Sequence, residues 1–182
     1  WFAALTLRLA GWRTVFTQPP GPKTVIVVYP HTSNWDFPIG VSFNALLPIF
    51  INWAGKDTLF RWPLRRLFIK LGGIPINRRE RTGLVDQLTQ VFAERDHFHL
   101  CIAPEGTRRK TDHWKSGFYR LSLAAGVPIG LAYLDYGQKR AGIERWIMPS
   151  GDRAADLAAI AAFYADKCGL HPEKAGDIRF KD

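Results

Sequence analysis

A histidine and a carboxylate stand five positions apart directly after an apolar run. The stretch VIVVYPHTSNWD leaves its apolar part at Pro30 and then presents His31 and Asp36. If the loop between them folds back, the Asp36 carboxylate can accept a hydrogen bond from one imidazole nitrogen. The other nitrogen is then a base with a defined tautomer. This pair corresponds to the base and the orienting acid of a catalytic triad without its serine, which suits direct attack by a substrate hydroxyl.

The same two residues also have a purely structural interpretation. Asp36 can cap the helix that follows it, and His31 can be an ordinary loop residue. On these two residues alone the structural interpretation is the stronger one, so the case for chemistry depends on polar residues elsewhere in the chain.

Two further segments place polar side chains after apolar stretches. GGIPINR ends in Arg78, whose planar guanidinium suits bidentate binding of a phosphate. APEGTR supplies the Glu105 carboxylate, a second guanidinium at Arg108 and, between them, Gly106, which allows close backbone approach. Together these groups could hold the hydroxyls and the phosphate of a glycerol phosphate. The structural alternatives are a surface arginine and a Glu–Arg ion pair in a turn.

The framework for these residues is predicted by an alternation of apolar runs and helical patterns. Strands are predicted in TVIVVY, IFINWAG, IPIN, HFHLCIA, VPIGLAYLDY and GIERWIM. Helices are predicted from Asp36 to about Leu47 and in LFRWPLRRLFIKLG, RTGLVDQLTQVFAER, WKSGFYRLSLAAG and DRAADLAAIAAFYADKCG. The alternation indicates an α/β fold, a single domain with a mainly parallel β-sheet flanked by helices. Ligands of such sheets bind beyond the carboxyl ends of the strands, and His31, Arg78 and Glu105 each follow a predicted strand.

The first residues have a different pattern. Residues 1–16 carry an apolar stripe at helical spacing, formed by Trp1, Leu5, Leu9, Trp12 and Phe16. The stripe predicts an amphipathic helix that lies on a membrane or packs onto the domain, and TQPPGPK then breaks it. We therefore expect residues 1–18 to form a helix and linker and residues 19–182 to form the main domain.

Membrane-spanning segments are not expected within the sequence. No apolar run reaches the roughly 18 residues of a spanning helix, and no signal-peptide pattern is present. The sequence begins with Trp1 rather than Met, which leaves open an anchor upstream of residue 1.

The net charge indicates which kinds of partner the protein binds, and the cysteine content indicates its redox compartment. Lys and Arg number 25 against 16 Asp and Glu, a net charge of +9, which favours an anionic partner such as phosphate, a membrane surface, nucleic acid or an acidic protein.

Cys101 and Cys168 are far apart and form no disulfide framework, which indicates a reducing compartment. Cys101 lies in an apolar strand and is interpreted as a small hydrophobe. His97 and His99 share a strand face, but no third metal ligand has suitable spacing.

Four ordered blocks resemble the lysophosphatidate (1-acylglycerol-3-phosphate) acyltransferase family and its glycerol-phosphate relatives. HTSNWD is similar to the family's H-x-S-x-x-D block, GGIPINR to its second block, PEGTR to its third and VPIG to the start of its fourth. Together they cover about residues 25–135. A single block would carry little weight, whereas four blocks in this order are specific.

The sequence departs from the family pattern at several positions that do not carry the predicted chemistry. Pro30 replaces the frequent Asn, Asn77 the frequent Asp and Ala103 the frequent Phe, and Gly130 and Leu131 stand where Val-Pro is usual. These departures put acceptor identity and acyl-chain length in doubt.

The resemblance implies direct acyl transfer. His31 would remove the proton from an acceptor hydroxyl that attacks a fatty acyl thioester, and Asp36 would orient the imidazole and stabilise its cation. The substrate-binding residues implied are Arg78, Glu105, Gly106, Thr107 and Arg108. Acyl-CoA or an acyl carrier protein would be the donor, so neither a metal nor a prosthetic group is expected.

The expected partners are an anionic membrane surface and a lysophospholipid acceptor, with 1-acylglycerol-3-phosphate first, and nucleic acid is not expected. The expected location is peripheral, on the cytoplasmic face of a bacterial cell membrane. Three alternatives stay open: another acceptor such as a lyso-aminolipid, a non-catalytic basic module that binds lipid or nucleic acid, and a metal-dependent phosphohydrolase built on His31, Asp36 and Glu105.

Overall fold

The structure is a computed structural model that describes residues 7–77 and 84–181. Its strands are β1 (Arg13–Phe16), β2 (Lys23–Val28), β3 (Ile51–Lys56), β4 (Gly73–Ile76), β5 (Phe98–Ile102), β6 (Ile129–Asp135) and β7 (Arg140–Ile147). Its helices are α1 (Asp36–Asn44), α2 (Arg65–Lys70), α3 (Leu84–Glu94), α4 (Gly117–Ala125) and α5 (Arg153–Tyr164), with 3₁₀ turns at Asp57–Leu59 and Pro172–Lys174.

Within the described residues the strands form one sheet in the order β1-β7-β6-β2-β5-β3-β4. The neighbours from β6 to β4 are all parallel, and only the β6–β7 pair is antiparallel. β1 is parallel to β7 and therefore runs against the other strands. The predicted α/β fold with a mainly parallel sheet is confirmed.

The register places the carboxyl ends of three strands side by side. Val25 in β2 lies opposite Leu100 in β5 and Ile129 in β6, and all three strands run in the same direction. The loops that follow them therefore emerge at one edge of the sheet, where open α/β sheets bind ligands.

Side-chain alternation along the strands builds a core on each face of the sheet. Val25 and Val27 of β2 point into one core and Ile26 into the other, and all three are fully buried. The first core is closed by side chains of α3, α4 and α5, including Phe92, Tyr119 and Tyr164. The second is closed by Phe43 of α1 and by Leu7.

Several predicted helices are shorter in the structure, among them α1 and α2. α1 ends at Asn44 rather than near Leu47, because the Asn44 side chain makes two hydrogen bonds to the backbone of Ile51, at 2.9 and 3.0 Å, and ties the turn to β3. α2 begins only at Arg65, after Pro63, since a proline disfavours helical backbone at the residue before it.

The prediction of an N-terminal helix through residue 16 is wrong for residues 13–16. These residues form β1 and pair with β7, with Arg13 opposite Arg140, so they belong to the sheet of the domain. Residues 7–9 are helical, and residues 1–6 lie outside the described part of the chain. The edge of β7 offers backbone groups that need partners, and the β-branched Thr14 and Val15 suit a strand.

The expected apolar stripe is also divided in the structure. Leu9 is 79% exposed, whereas Trp12 and Phe16 pack against the second core. Gly11 adopts φ +77°, a left-handed conformation that separates the helical residues from the strand. Among the described residues no helix is long and apolar enough to cross a bilayer.

Candidate active site

His31 and Asp36 are in contact in the loop between β2 and α1. Nδ1 of His31 lies 3.0 Å from Oδ2 of Asp36, and the imidazole is 21% exposed while the carboxylate is 3% exposed. A carboxylate can only accept, so Nδ1–H is the donor and Nε2 of the neutral ring keeps its lone pair. The hydrogen bond that the five-residue spacing predicts is present, and it leaves an imidazole nitrogen able to act as a base.

The Asp36 carboxylate is held by more donors than the sequence indicates. Oδ2 also accepts from the backbone N–H groups of Thr32 and Ser33, each at 3.0 Å, and Oδ1 accepts from the Tyr136 hydroxyl at 2.8 Å. Burial raises the pKa of Asp36, but the hydrogen bonds from His31, Ser33 and Tyr136 outweigh it, so the pKa lies below its usual value. Asp36 is therefore an anion at neutral pH.

The predicted capping role of Asp36 is wrong. Asp36 is the first residue of α1, and its side chain accepts from amides of the preceding loop rather than from those of the helix. The carboxylate thus shapes the loop that carries His31 and orients the imidazole at the same time.

Glu105 reaches the same loop from the neighbouring strand β5. Its side chain is 2% exposed, and its two oxygens accept from the backbone N–H groups of His31 and Gly176, both at 2.8 Å. Burial raises the pKa of Glu105 above its usual value, although the two amide hydrogen bonds act in the opposite direction. In this structure Glu105 positions the backbone of the predicted base.

The residues after Glu105 form an exposed turn. Gly106 has φ +66°, a left-handed conformation that favours glycine, and the flexible Lys115 side chain lies beside it. Thr107 and Arg108 are exposed, and Oγ1 of Thr107 accepts from the backbone of Arg109.

The structure therefore brings His31, Asp36 and Glu105 together and carries Gly106, Thr107 and Arg108 on the loop that contains Glu105. Arg78 lies outside the described residues, so its predicted place in the site stays a prediction.

Sequence reasoning missed the groups that enclose this loop. Tyr136 follows β6, so the rule that selected His31 and Glu105 could also have selected it. The segment after α5 gave no signal: the backbone N–H of His171 donates to Oγ1 of Thr32 at 3.2 Å, and Gly176 binds Glu105. These contacts join residues more than 70 positions apart.

Other candidate reactive groups are engaged in packing. Burial raises the pKa of the Cys101 thiol to about 12, so little thiolate is present at neutral pH. Nδ1 of His99 lies 2.8 Å from Oγ1 of Thr24, and burial lowers the pKa of His99. In residues 7–77 and 84–181 no group of three or more His, Cys, Asp or Glu side chains is placed to hold a metal ion.

Comparison with known proteins identifies the class. A family model described as Acyltransferase matches residues 16–130, more than half of the chain and all four sequence blocks. The chain belongs to the acyltransferase family, which confirms the predicted resemblance and the expectation of an acyltransferase enzyme. A search of curated proteins gives no significant match.

A solved structure shares the fold. The 1-acyl-sn-glycerophosphate acyltransferase PlsC from Thermotoga maritima is similar with a TM-score of 0.53, over 82% of this chain and 67% of that chain. The two sequences are 17% identical over the superposed region, so the likeness concerns the architecture.

Substitution of His31 by alanine should abolish turnover without loss of the fold, because the partly exposed imidazole supplies a base rather than core volume. A general base contributes about 10²–10⁴-fold to the rate. Asp36→Asn should also lose most activity, since an amide can hold the wrong imidazole tautomer. The measurement is kcat with an acyl thioester and a lysolipid, with thermal melts to monitor folding.

His97→Ala is the matched control, because His97 is exposed at the start of β5 and should be dispensable. Near-normal turnover by a folded His31→Ala protein would contradict the assignment of the base.

Proposed function

We propose that the protein transfers a fatty acyl group from an acyl thioester to a hydroxyl of a lysophospholipid, with 1-acylglycerol-3-phosphate as the first candidate acceptor. The observation that carries the proposal is the 3.0 Å contact between His31 and Asp36 at the carboxyl end of β2, within the residues matched by the acyltransferase family. The structurally similar protein named above acts on 1-acyl-sn-glycerophosphate, which supports the choice of acceptor.

The proposed chemistry is a single transfer without an acyl-enzyme. Nε2 of His31 accepts the proton of the acceptor hydroxyl while that oxygen attacks the thioester carbonyl. A C–O bond forms, the C–S bond breaks, and the leaving thiolate takes a proton from the imidazolium to become the free thiol. Asp36, buried and ionised, stabilises the imidazolium during the step. The high pKa of Cys101 argues against a covalent route through that thiol.

The acceptor phosphate is assigned to the two arginines of the sequence blocks. Arg108 is exposed on the turn after Glu105, three residues from the carboxylate that holds the His31 backbone. A guanidinium there can bind a phosphate while the acceptor hydroxyl approaches His31. Arg78 is assigned the same role by resemblance alone. The net charge of +9 also favours an acidic donor, either coenzyme A or an acyl carrier protein.

The proposed membrane contact is the α2 surface, which we define as residues 61–70. Every residue in it except Phe68 is exposed, and it carries four cationic residues and no acidic one. Trp62 is 91% exposed, and Leu64, Leu67 and Ile69 are each close to half exposed. Large apolar side chains among cations are typical of a segment that lies in the interface of an anionic bilayer.

The α2 surface also contains a cavity. Its volume is about 700 Å³, and its lining mixes apolar groups with guanidinium groups, as a lipid headgroup and its chain would require: Phe60, Arg61, Trp62, Pro63, Arg65 and Arg66. His31 is not part of this lining, so the cavity is assigned to membrane contact rather than to the reaction.

Aromatic packing connects the α2 surface to the candidate site. The Phe68 ring lies 5.6 Å from the ring of Phe37, which is the residue after Asp36, and both pack edge-on against Trp53. A bilayer bound at the α2 surface would therefore lie on the outside of a helix whose inner side packs against α1, the helix that begins at Asp36. We propose a peripheral location on the cytoplasmic face of a bacterial membrane.

The proposed function is tested by incubating the purified protein with a labelled acyl thioester and a panel of lysolipids. Label should move to 1-acylglycerol-3-phosphate, and the transfer should persist in the presence of chelators. Transfer only to another lyso-lipid, such as a lyso-aminolipid, would correct the acceptor. Binding of anionic vesicles without turnover of any thioester would favour a non-catalytic module, and chelator-sensitive phosphate release would favour a phosphohydrolase.

Replacement of Arg108 by lysine should separate phosphate binding from bulk charge. Lysine keeps the charge but loses the planar fork, and hydrogen bonds to charged groups contribute about 1.5–3 kcal/mol. We expect kcat/KM for the acceptor to fall roughly ten- to a hundredfold, with a much smaller change for the donor. Arg78→Lys is expected to behave in the same way.

Arg109→Lys is the control, because Arg109 is the exposed neighbour on the same turn. If the Arg108 and Arg78 variants both match the parent at all acceptor concentrations, the phosphate is bound elsewhere.

Neutralising the α2 surface should weaken vesicle binding. Each Lys or Arg near an anionic membrane contributes about 1 kcal/mol, so Arg65→Gln with Arg66→Gln should weaken binding roughly thirtyfold. Co-sedimentation with vesicles that contain an anionic phospholipid measures the effect, and added salt should reduce it by screening.

The control is the double variant Arg95→Gln with Arg120→Gln, which removes the same number of positive charges from exposed positions next to α3 and in α4. It should bind the vesicles almost normally. Equal weakening in both double variants would assign membrane binding to overall charge instead of the α2 surface.

A further inference from the structure

Tyr136 contacts the Asp36 carboxylate on the oxygen that His31 does not use. The Tyr136 hydroxyl donates to Oδ1 at 2.8 Å, whereas Nδ1 of His31 lies 3.0 Å from Oδ2. Each carboxylate oxygen thus has its own side-chain donor, and the two donors come from different loops, since Tyr136 follows β6 and His31 follows β2.

The phenol ring is held from two distant parts of the chain. Trp12 packs edge-on against it with ring centroids 5.0 Å apart, and the backbone N–H of Tyr136 donates to the carbonyl of Cys168 at 2.8 Å. The turn that contains Tyr136 is held by its neighbour Asp135, whose side chain accepts hydrogen bonds from the backbone N–H groups of Gly137 and Gln138. The direction of the hydroxyl is therefore set by its surroundings.

We propose that Tyr136 is a positioning residue for the acyl-transfer step, whose hydroxyl fixes the Asp36 carboxylate against His31 and draws part of its negative charge away from the imidazole. The inference rests on the function proposed above. Tyr136 touches neither of the reacting atoms in this scheme, so it acts through Asp36.

The electrostatics of the pair agree with this role. Burial and the hydrogen bond to Asp36 both raise the pKa of Tyr136, so the phenol keeps its proton and remains a donor at neutral pH. The same hydrogen bond helps to lower the pKa of Asp36. Among the described residues Glu105 also interacts with both His31 and Asp36, and it is unchanged by a substitution at Tyr136.

The test is Tyr136→Phe, which removes the hydroxyl and keeps the ring against Trp12. We expect kcat to fall roughly tenfold, because the carboxylate is no longer fixed against the imidazole, while KM for the acceptor stays within about twofold. The acidic limb of the kcat–pH profile should move to higher pH. Without the phenol hydroxyl, the Asp36 carboxylate attracts the Nδ1–H of His31 more strongly than in the parent. It therefore favours the protonated imidazole, which cannot act as a base.

Tyr119→Phe is the matched control. Its hydroxyl donates to Oδ2 of Asp156 at 2.7 Å, so it also loses a bond from tyrosine to a buried carboxylate, but in a contact between α4 and the start of α5. That variant should lose thermal stability and keep the kcat and pH profile of the parent. The inference is overturned if Tyr136→Phe changes only stability, as the control does.

A second substitution keeps the test independent of folding. Replacing Tyr136 with 3-fluorotyrosine makes the phenol a stronger donor and should move the acidic limb to lower pH, opposite to Tyr136→Phe. An unchanged limb would contradict the proposal.

His31→Ala is assayed in parallel, so that failure of the proposed acyltransferase function can be distinguished from failure of the proposed role of Tyr136. Full activity of His31→Ala overturns the proposed function together with this inference. An inactive His31→Ala beside a normal Tyr136→Phe overturns this inference alone.

Discussion

The buried Asp36 carboxylate is the group around which the candidate site is built. A charge that is only 3% exposed is costly unless donors surround it, and Asp36 has donors in His31, Thr32, Ser33 and Tyr136. Two of these are backbone amides of the loop itself, so the carboxylate sets the path of the chain between β2 and α1. The others are side chains that reach it from opposite sides. Loss of the carboxylate would therefore release the loop and the imidazole together.

The parallel sheet provides the geometry that this charge requires. β2 lies between β5 and β6, and all three strands end at the same edge. β2 delivers His31, β5 delivers Glu105 to the His31 backbone, and β6 delivers Tyr136 to the carboxylate. The loop after β2 is thus held by residues that follow the neighbouring strands as well as by its own Asp36. The segment after α5 adds a further restraint through Gly176, which shares Glu105 with His31.

The same architecture connects the candidate site to the α2 surface, the proposed membrane contact. α1 begins at Asp36, and its next residue, Phe37, packs against Phe68 on the buried side of α2. The α2 surface presents Trp62, Leu67 and several guanidinium groups to solvent. The proposed reaction brings an acyl thioester and a membrane lipid to His31. In that proposal α2 is suited to the task, because it shares an aromatic cluster with α1, which directly follows the loop that carries His31.

The sequence by itself determined the elements, the family and the His31–Asp36 pair, because apolar periodicity, turn residues and short block spacing are local properties. The same local signals failed at residues 13–16, where helical spacing was overruled by pairing with the open edge of β7. The family resemblance predicts Asp36 as an orienting carboxylate, but the sequence could not show that Glu105 would bind the His31 backbone or that Tyr136 would bind the other oxygen of Asp36. Those contacts cross 74 and 100 positions of the chain. Only the tertiary structure decided them, because they depend on which strands become neighbours and on how far each loop extends beyond the sheet.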